Sequence, residues 1–160
     1  MGAMEIVTIP QKILKEPMPD VPDDWFGGEH LLSLIADMRT AMLAASGVGL
    51  AANQVGQQLR LFVIDAELAK EHGIPDAFAN PEITEYSKDT DVLEEGCLSI
   101  PGTYIPIFRA KKVMFKGYDA QGKKYKFRAR GFIARVLQHE TDHLNGTVIA
   151  DRAKEQKKAL

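Results

Sequence analysis

Apolar and polar residues along this chain repeat with two different periods, and the changes of period mark out its elements. From Glu29 to Ala45, the residues Leu31, Leu34, Ile35, Met38, Met42 and Ala45 recur three or four positions apart, which places them on one side of a helix. Gly47 and Gly49 are expected to stop it. The stretch from Phe132 to Asn145 has helical spacing again, with Phe132, Val136 and Leu137 apolar and Gly146 placed to end it. Between these helices, Arg60 to Asp65 reads as a buried strand, and Ala79 to Ile83 and Val92-Leu93 read as shorter ones. Lys112 to Asp119 and Lys124 to Arg128 alternate on either side of Ala120-Gln121-Gly122, the pattern of a hairpin. Ile6 to Ile9 is strand-like up to Pro10, and Pro17 to Gly28 reads as an irregular surface connection. Strands gathered between helices, without βα alternation, predict an α+β fold with antiparallel sheets surrounding a central helix.

Composition narrows the class. The 160 residues fit one domain, 1–160, with Met1-Gly2-Ala3 reading as a cloning scar and residues 152–160 as a short charged tail, a solvent-exposed helix. Hydrophobic residues at 45% and charged residues at 26% are ordinary for a soluble globular protein. A net charge of −2 gives no reason to expect direct DNA binding or attraction to an anionic membrane. No apolar run reaches the roughly 18 residues of a membrane span, and no secretory signal opens the chain. A cytoplasmic location is expected, or an organelle after processing. The lone Cys97 cannot form an internal disulfide, which leaves a buried small hydrophobe, a nucleophile or a metal ligand.

The helix predicted from Phe132 carries Gln138-His139-Glu140-Thr141-Asp142-His143-Leu144, a HExxH motif. Two histidines four residues apart lie one above the other on a helix face and can share a metal ion, with Glu140 beside the first ligand to handle the proton of a water. The plain alternative is a surface turn with two solvated histidines. The apolar neighbours Val136, Leu137 and Leu144 argue for an interior helix, where buried histidines and a glutamate need partners. A catalytic site needs a third ligand. Common HExxH peptidases take a histidine or glutamate downstream, and after His143 only Glu155 meets that, in the charged tail. His30 and His72 read as solvent-facing. Cys97 remains, and a thiolate with two imidazoles suits a divalent transition metal.

Three segments together resemble the peptide deformylase family: Gly47-Val48-Gly49-Leu50-Ala51-Ala52-Asn53-Gln54, Glu95-Gly96-Cys97-Leu98-Ser99, and Gln138 to Leu144. The resemblance implies a metal-dependent hydrolase that removes the N-formyl group from formyl-methionine at the start of new polypeptides and releases formate. It implies Cys97, His139 and His143 as ligands of one divalent metal ion, with Fe(II) physiological and zinc, nickel or cobalt able to replace it. Glu140 would move the proton, while the Gln54 amide and the Leu98 backbone N–H would face the oxyanion. Backbone groups of Val48, Gly49 and Gly96 are expected against an extended peptide, and Val48, Phe132 and Val136 around its first side chain. Asp142 and Arg109 match family positions and read either as an ion pair or as two solvated charges. The acidic run Asp89, Asp91, Glu94 and Glu95 reads as a solvated loop, except where Glu95 abuts the motif. Phe108 stands where the family often has proline. Lys154, Lys157 and Lys158 are what the tail keeps of the family's basic C-terminal helix, which leaves ribosome contact open. Two other readings compete: a small HExxH metallopeptidase with a ligand after His143, and an inactive metal-binding relative.

Overall fold

The computed structural model describes residues 4–159; Met1 to Ala3, the expected cloning scar, and Leu160 lie outside the described residues. In chain order the elements are α1 (Glu29–Ala44), β1 (Gly49–Ala51), β2 (Leu61–Ile64), α2 (Ala66–Glu71), β3 (Ala77–Tyr86), β4 (Thr90–Cys97), β5 (Ile100–Ala110), β6 (Lys112–Tyr118), β7 (Lys124–Arg130), α3 (Phe132–Leu144) and α4 (Ile149–Ala159). One antiparallel sheet runs β1-β2-β3-β6-β7, and β4 and β5 form a second, two-stranded sheet. This is the α+β arrangement that the periodicity predicts.

Each sheet packs on α3. Ile133, Ala134, Leu137 and Leu144 of α3 join Phe62, Phe78 and Phe115 of the larger sheet in one core. The Phe78 and Phe115 rings meet edge to face with centroids 4.9 Å apart, a geometry that adds about 0.5–1.5 kcal/mol to the area buried. On the sheet's far side, Leu31, Leu34, Ile35, Met38 and Met42 of α1 pack on Leu50, Leu61 and Val63. The smaller sheet closes over α4 through Ile100, Ile107, Val148 and Ile149, with Leu14 and Cys97 in the same cluster.

Several boundaries differ from the periodic reading, each for a local reason. The helix α1 is closed by Ser46 at φ +57°, with Ser46 N–H donating to Leu43 and Gly47 N–H to Met42 at 2.9 Å. This is the paired bonding of a Schellman ending, so Gly49 is free to begin β1. Ile6 to Ile9 is extended but joins no ladder. Val7 N–H donates to Gln54 O at 2.7 Å and Ile9 N–H to Ser99 O at 3.0 Å, so the segment straps two elements together. Val92 and Leu93 lie in an eight-residue strand that also takes up Asp91, Glu94 and Glu95, so these acids are not loop residues. The helix α3 ends as expected, with Gly146 at φ +81°. Residues 149–159 form α4, whose inner end is buried at Ile149 while Lys154, Lys157 and Lys158 are exposed.

Candidate metal centre

Helical spacing brings His139 and His143 to one face of α3, and the end of β4 delivers Cys97 to the same point. The His143 Nε2 atom lies 3.2 Å from His139 Nε2 and 3.3 Å from Cys97 Sγ. The ligand atoms of all three residues lie within 4.8 Å of one another. Burial and the neighbouring His139 hold the His143 pKa well below its ordinary value, which keeps it in the neutral form that binds metals. Burial would also lower the His139 pKa, yet the Cys97 sulfur and the Glu95 carboxylate push it up to about 10. One sulfur and two imidazoles suit a divalent transition metal there.

The other nitrogen of His139, Nδ1, is 2.9 Å from Glu95 Oε1, the carboxylate partner that orients a ligating imidazole. Glu95 is in turn gripped by Arg109 through two bonds of 2.9 Å and by Arg135 Nη1 at 2.6 Å. Burial would raise the Glu95 pKa, but the bonds from Arg109 and His139 outweigh it and hold the carboxyl well below the carboxylate range. Arg109 also reaches Asp142 at 2.5 Å, so of the two readings of that pair the structure shows the ion pair. Asp91, at the far end of β4, pairs with Arg135 at 2.8 Å. Sequence reasoning missed Arg135 and gave Glu95 only a passing place. The available signal was its position two residues before Cys97 on a strand.

Glu140 follows His139 and is buried, with its Oε1 lacking a hydrogen-bond partner. Burial pushes its carboxyl up to about 7, against the lowering effect of His139. Gln54 is fixed by its own carbonyl, which accepts from Ala51 N–H at 2.9 Å. Its amide nitrogen is thereby turned toward Cys97 Sγ at 3.6 Å and Ser99 Oγ at 3.1 Å. Beside it, Asn53 donates to the His143 carbonyl at 2.7 Å and ties this turn to α3.

A cavity of about 400 Å³ opens over this cluster. Val48, Gly49, Gln54, Gly96, Cys97, Leu98, Phe132, Val136, His139 and Glu140 all line it, while His143 lies buried behind them. Leu93, Ile100 and Tyr104 complete walls that the motifs did not indicate. Gly96 is not open to the cavity alone, because the Tyr104 ring packs where its Cβ would be, 2.7 Å away. The other two histidines, His30 and His72, are exposed, and Glu155 pairs with Arg152 at 3.1 Å.

An α+β fold that wraps two sheets around a HExxH helix, with a cysteine completing a three-donor cluster, defines a class of metallohydrolase. The chain matches the Polypeptide deformylase family over residues 3–159. It is 49% identical to the peptide deformylase of Dictyoglomus turgidum over 129 residues, 80% of this chain and 80% of that protein. The crystal structure of peptide deformylase from Thermotoga maritima superposes with a TM-score of 0.85 at 38% identity, covering 95% of this chain and 98% of that one. A class I type b peptide deformylase from Acinetobacter baumannii, bound to Met-Ala-Ser, matches with a TM-score of 0.85 at 31% identity, over 94% of this chain and 98% of that one. The chain belongs to the polypeptide deformylase family, enzymes that remove the N-formyl group from new polypeptides. No helix among the described residues is long and apolar enough to cross a membrane.

Proposed function

We propose that this single catalytic domain, acting in the cytoplasm, performs deformylation through one divalent ion held by Cys97, His139 and His143. The observation that carries the reading is the convergence of those three donors beside a buried, unpartnered Glu140. An ion bound there would supply Lewis acidity and ease the deprotonation of water near neutral pH. Glu140, with a pKa near 7, accepts the proton of the attacking water and returns it to the departing amine nitrogen. The Gln54 amide and the Leu98 backbone N–H stabilise charge on the formyl oxygen. Gln54 is preorganised for this by its bond from Ala51, so little reorganisation is needed as charge develops. Val48, Gly49 and Gly96 offer backbone to the extended peptide, and Val48, Phe132 and Val136 enclose its first side chain.

Fe(II) is the proposed physiological ion, with zinc, nickel or cobalt able to take its place at a thiolate–imidazole site. Exposure to air should inactivate the iron form faster than the nickel form, because iron and thiolate both oxidise. The exposed Lys154, Lys157 and Lys158 of α4 are the residues proposed for any ribosome contact. An endopeptidase with a ligand after His143 is disfavoured, since Glu155 is engaged with Arg152 on the surface. Formate release from formyl-Met-Ala-Ser by iron- or nickel-loaded protein tests the assignment, and no release with either metal overturns it.

A further inference from the structure

Beyond the ligands and their immediate partners, the structure assigns a positioning role at the metal centre to Arg152, on the C-terminal helix α4. The inference rests on the proposed metal site. Arg152 grips Asp142 with two nitrogens, Nη2 to Oδ1 at 2.6 Å and Nε to Oδ2 at 3.2 Å. Asp142 Oδ2 also accepts from Arg109 Nη1 at 2.5 Å. Arg109 spends its remaining contacts on Glu95, and Glu95 Oε1 holds His139 Nδ1 at 2.9 Å. An unbroken series of charged contacts thus leads from α4 to the ring of a ligand.

The inner part of the series is buried and its charges compete, while the side chains of Asp142 and Arg152 are 13% and 32% exposed. The side chains of Arg109 and Glu95 are 4% and 6% exposed, so neither can turn to water for a substitute partner. Asp142 is shared between two guanidinium groups that hold it from both sides. Without Arg152 its Oδ1 has no partner among the described residues, and Arg109 is the only cation left in contact. Arg109 is then drawn toward Asp142 at the expense of Glu95. Arg135 Nη1 still holds Glu95 Oε2 at 2.6 Å, but Oε1, the oxygen that orients His139, loses its bond from Arg109 and the ring is less firmly placed. A partner that directly orients a ligand is typically worth about 10–100-fold in metal affinity. Arg152 acts on His139 through three intermediaries, Asp142, Arg109 and Glu95, which places its effect near the lower end, about 10-fold.

Seating α4 does not require Arg152. The helix is also held by buried Ile149, by Lys15 on Asp151, and by Gln156, which exchanges two hydrogen bonds with the Phe108 backbone at 3.2 and 2.9 Å. A residue needed only for docking would therefore be redundant here. The coupling must also be reciprocal, since metal binding that organises His139 organises α4 to the same extent.

The test uses the full chain loaded with nickel and measures transfer of nickel to a chelator at 25 °C, together with amide hydrogen exchange in α4. Arg152→Gln is expected to lose nickel about 10-fold faster than the parent. Arg152→Lys, which keeps the charge without the fork, should fall between, and Lys154→Ala on the exposed face should match the parent. Nickel should slow exchange across α4 in the parent and not in Arg152→Gln. A parental rate of nickel loss in Arg152→Gln overturns the inference, as does exchange in parental α4 that ignores nickel. If Arg152→Gln fails to fold, a parental rate in Arg152→Lys overturns it. A parent chain that takes up no nickel would instead remove the metal site itself, and the relay with it.

Discussion

Gly49 stands so close to Glu140 that a β-carbon on it would lie 2.5 Å from Glu140 Oε2 and 2.9 Å from Cδ. Real Cβ contacts are essentially never that short, so any side chain at this position requires the Glu140 carboxylate to shift. Gly49→Ala should push Glu140 aside while leaving the cores intact. Displacing a reacting group by about 1 Å can cost about 100-fold, so kcat/KM for a formylated tripeptide should fall by about that factor with a small change in Tm. Parental activity in the variant would show that Glu140 is not held where the reaction needs it.

Gln54 is braced by Ala51 N–H and Ser99 Oγ, with its amide nitrogen facing the cluster. Loss of one preorganised oxyanion donor costs about 10²–10³-fold in kcat. Gln54→Ala should show that loss in kcat with a much smaller change in KM. A variant impaired only in KM would assign Gln54 to ground-state binding.

Metal removal should be felt by the whole fold, because Cys97 and His143 are buried, His139 is half-buried beside them, and their donor atoms face one another. A ligand bound only by the native state stabilises it by mass action, about 4 kcal/mol at a thousand times its Kd. Chelation should therefore lower Tm and nickel restore it. Cys97→Ser exchanges a soft sulfur for a hard oxygen, and the nickel-dependent rise in Tm should shrink. An undiminished rise would place the third ligand elsewhere.

Asp151 opens α4, accepting from Val148 N–H at 3.1 Å and from Lys15 at 2.5 Å. Burial would raise its pKa, but Lys15 and the Val148 N–H outweigh it and the folded value is lowered. A carboxyl depressed in the folded state contributes its stability above the unfolded pKa, about 3.9, and loses it as pH falls through the folded pKa. Asp151→Asn should therefore be less stable than the parent at neutral pH, by less than about 1 kcal/mol for so exposed a pair. Urea titrations should show the gap closing below about pH 4. A gap of constant size across that range would remove Asp151 from the acid response.

How much of this architecture is legible in the chain depends on how local each feature is. The helices α1 and α3 follow from a spacing of three and four, and the β6–β7 hairpin from alternation around Gly122, because those signals lie within a few residues of each other. Ile6 to Ile9 is likewise strand-like in composition and still forms no strand. Its N–H groups go to Gln54 and Ser99, which nothing in residues 6–9 announces.

The metal-and-base unit is readable for the same reason: His139, Glu140 and His143 are placed by one turn of helix, whatever surrounds it. Their environment is not. Among Asp91, Glu94 and Glu95 the sequence marks Glu95 only by its place against the cysteine motif and names no partner for it; the β4–β5 register turns Glu95 inward beside Arg109 and leaves Glu94 exposed. Arg135 and Arg152 look like ordinary charges on helix surfaces until folding brings β4 against α3 and α4 against Asp142. Periodicity records which side of an element is apolar. Pairing of buried charges is decided by register and helix placement across distant segments, and only the packed chain supplies those.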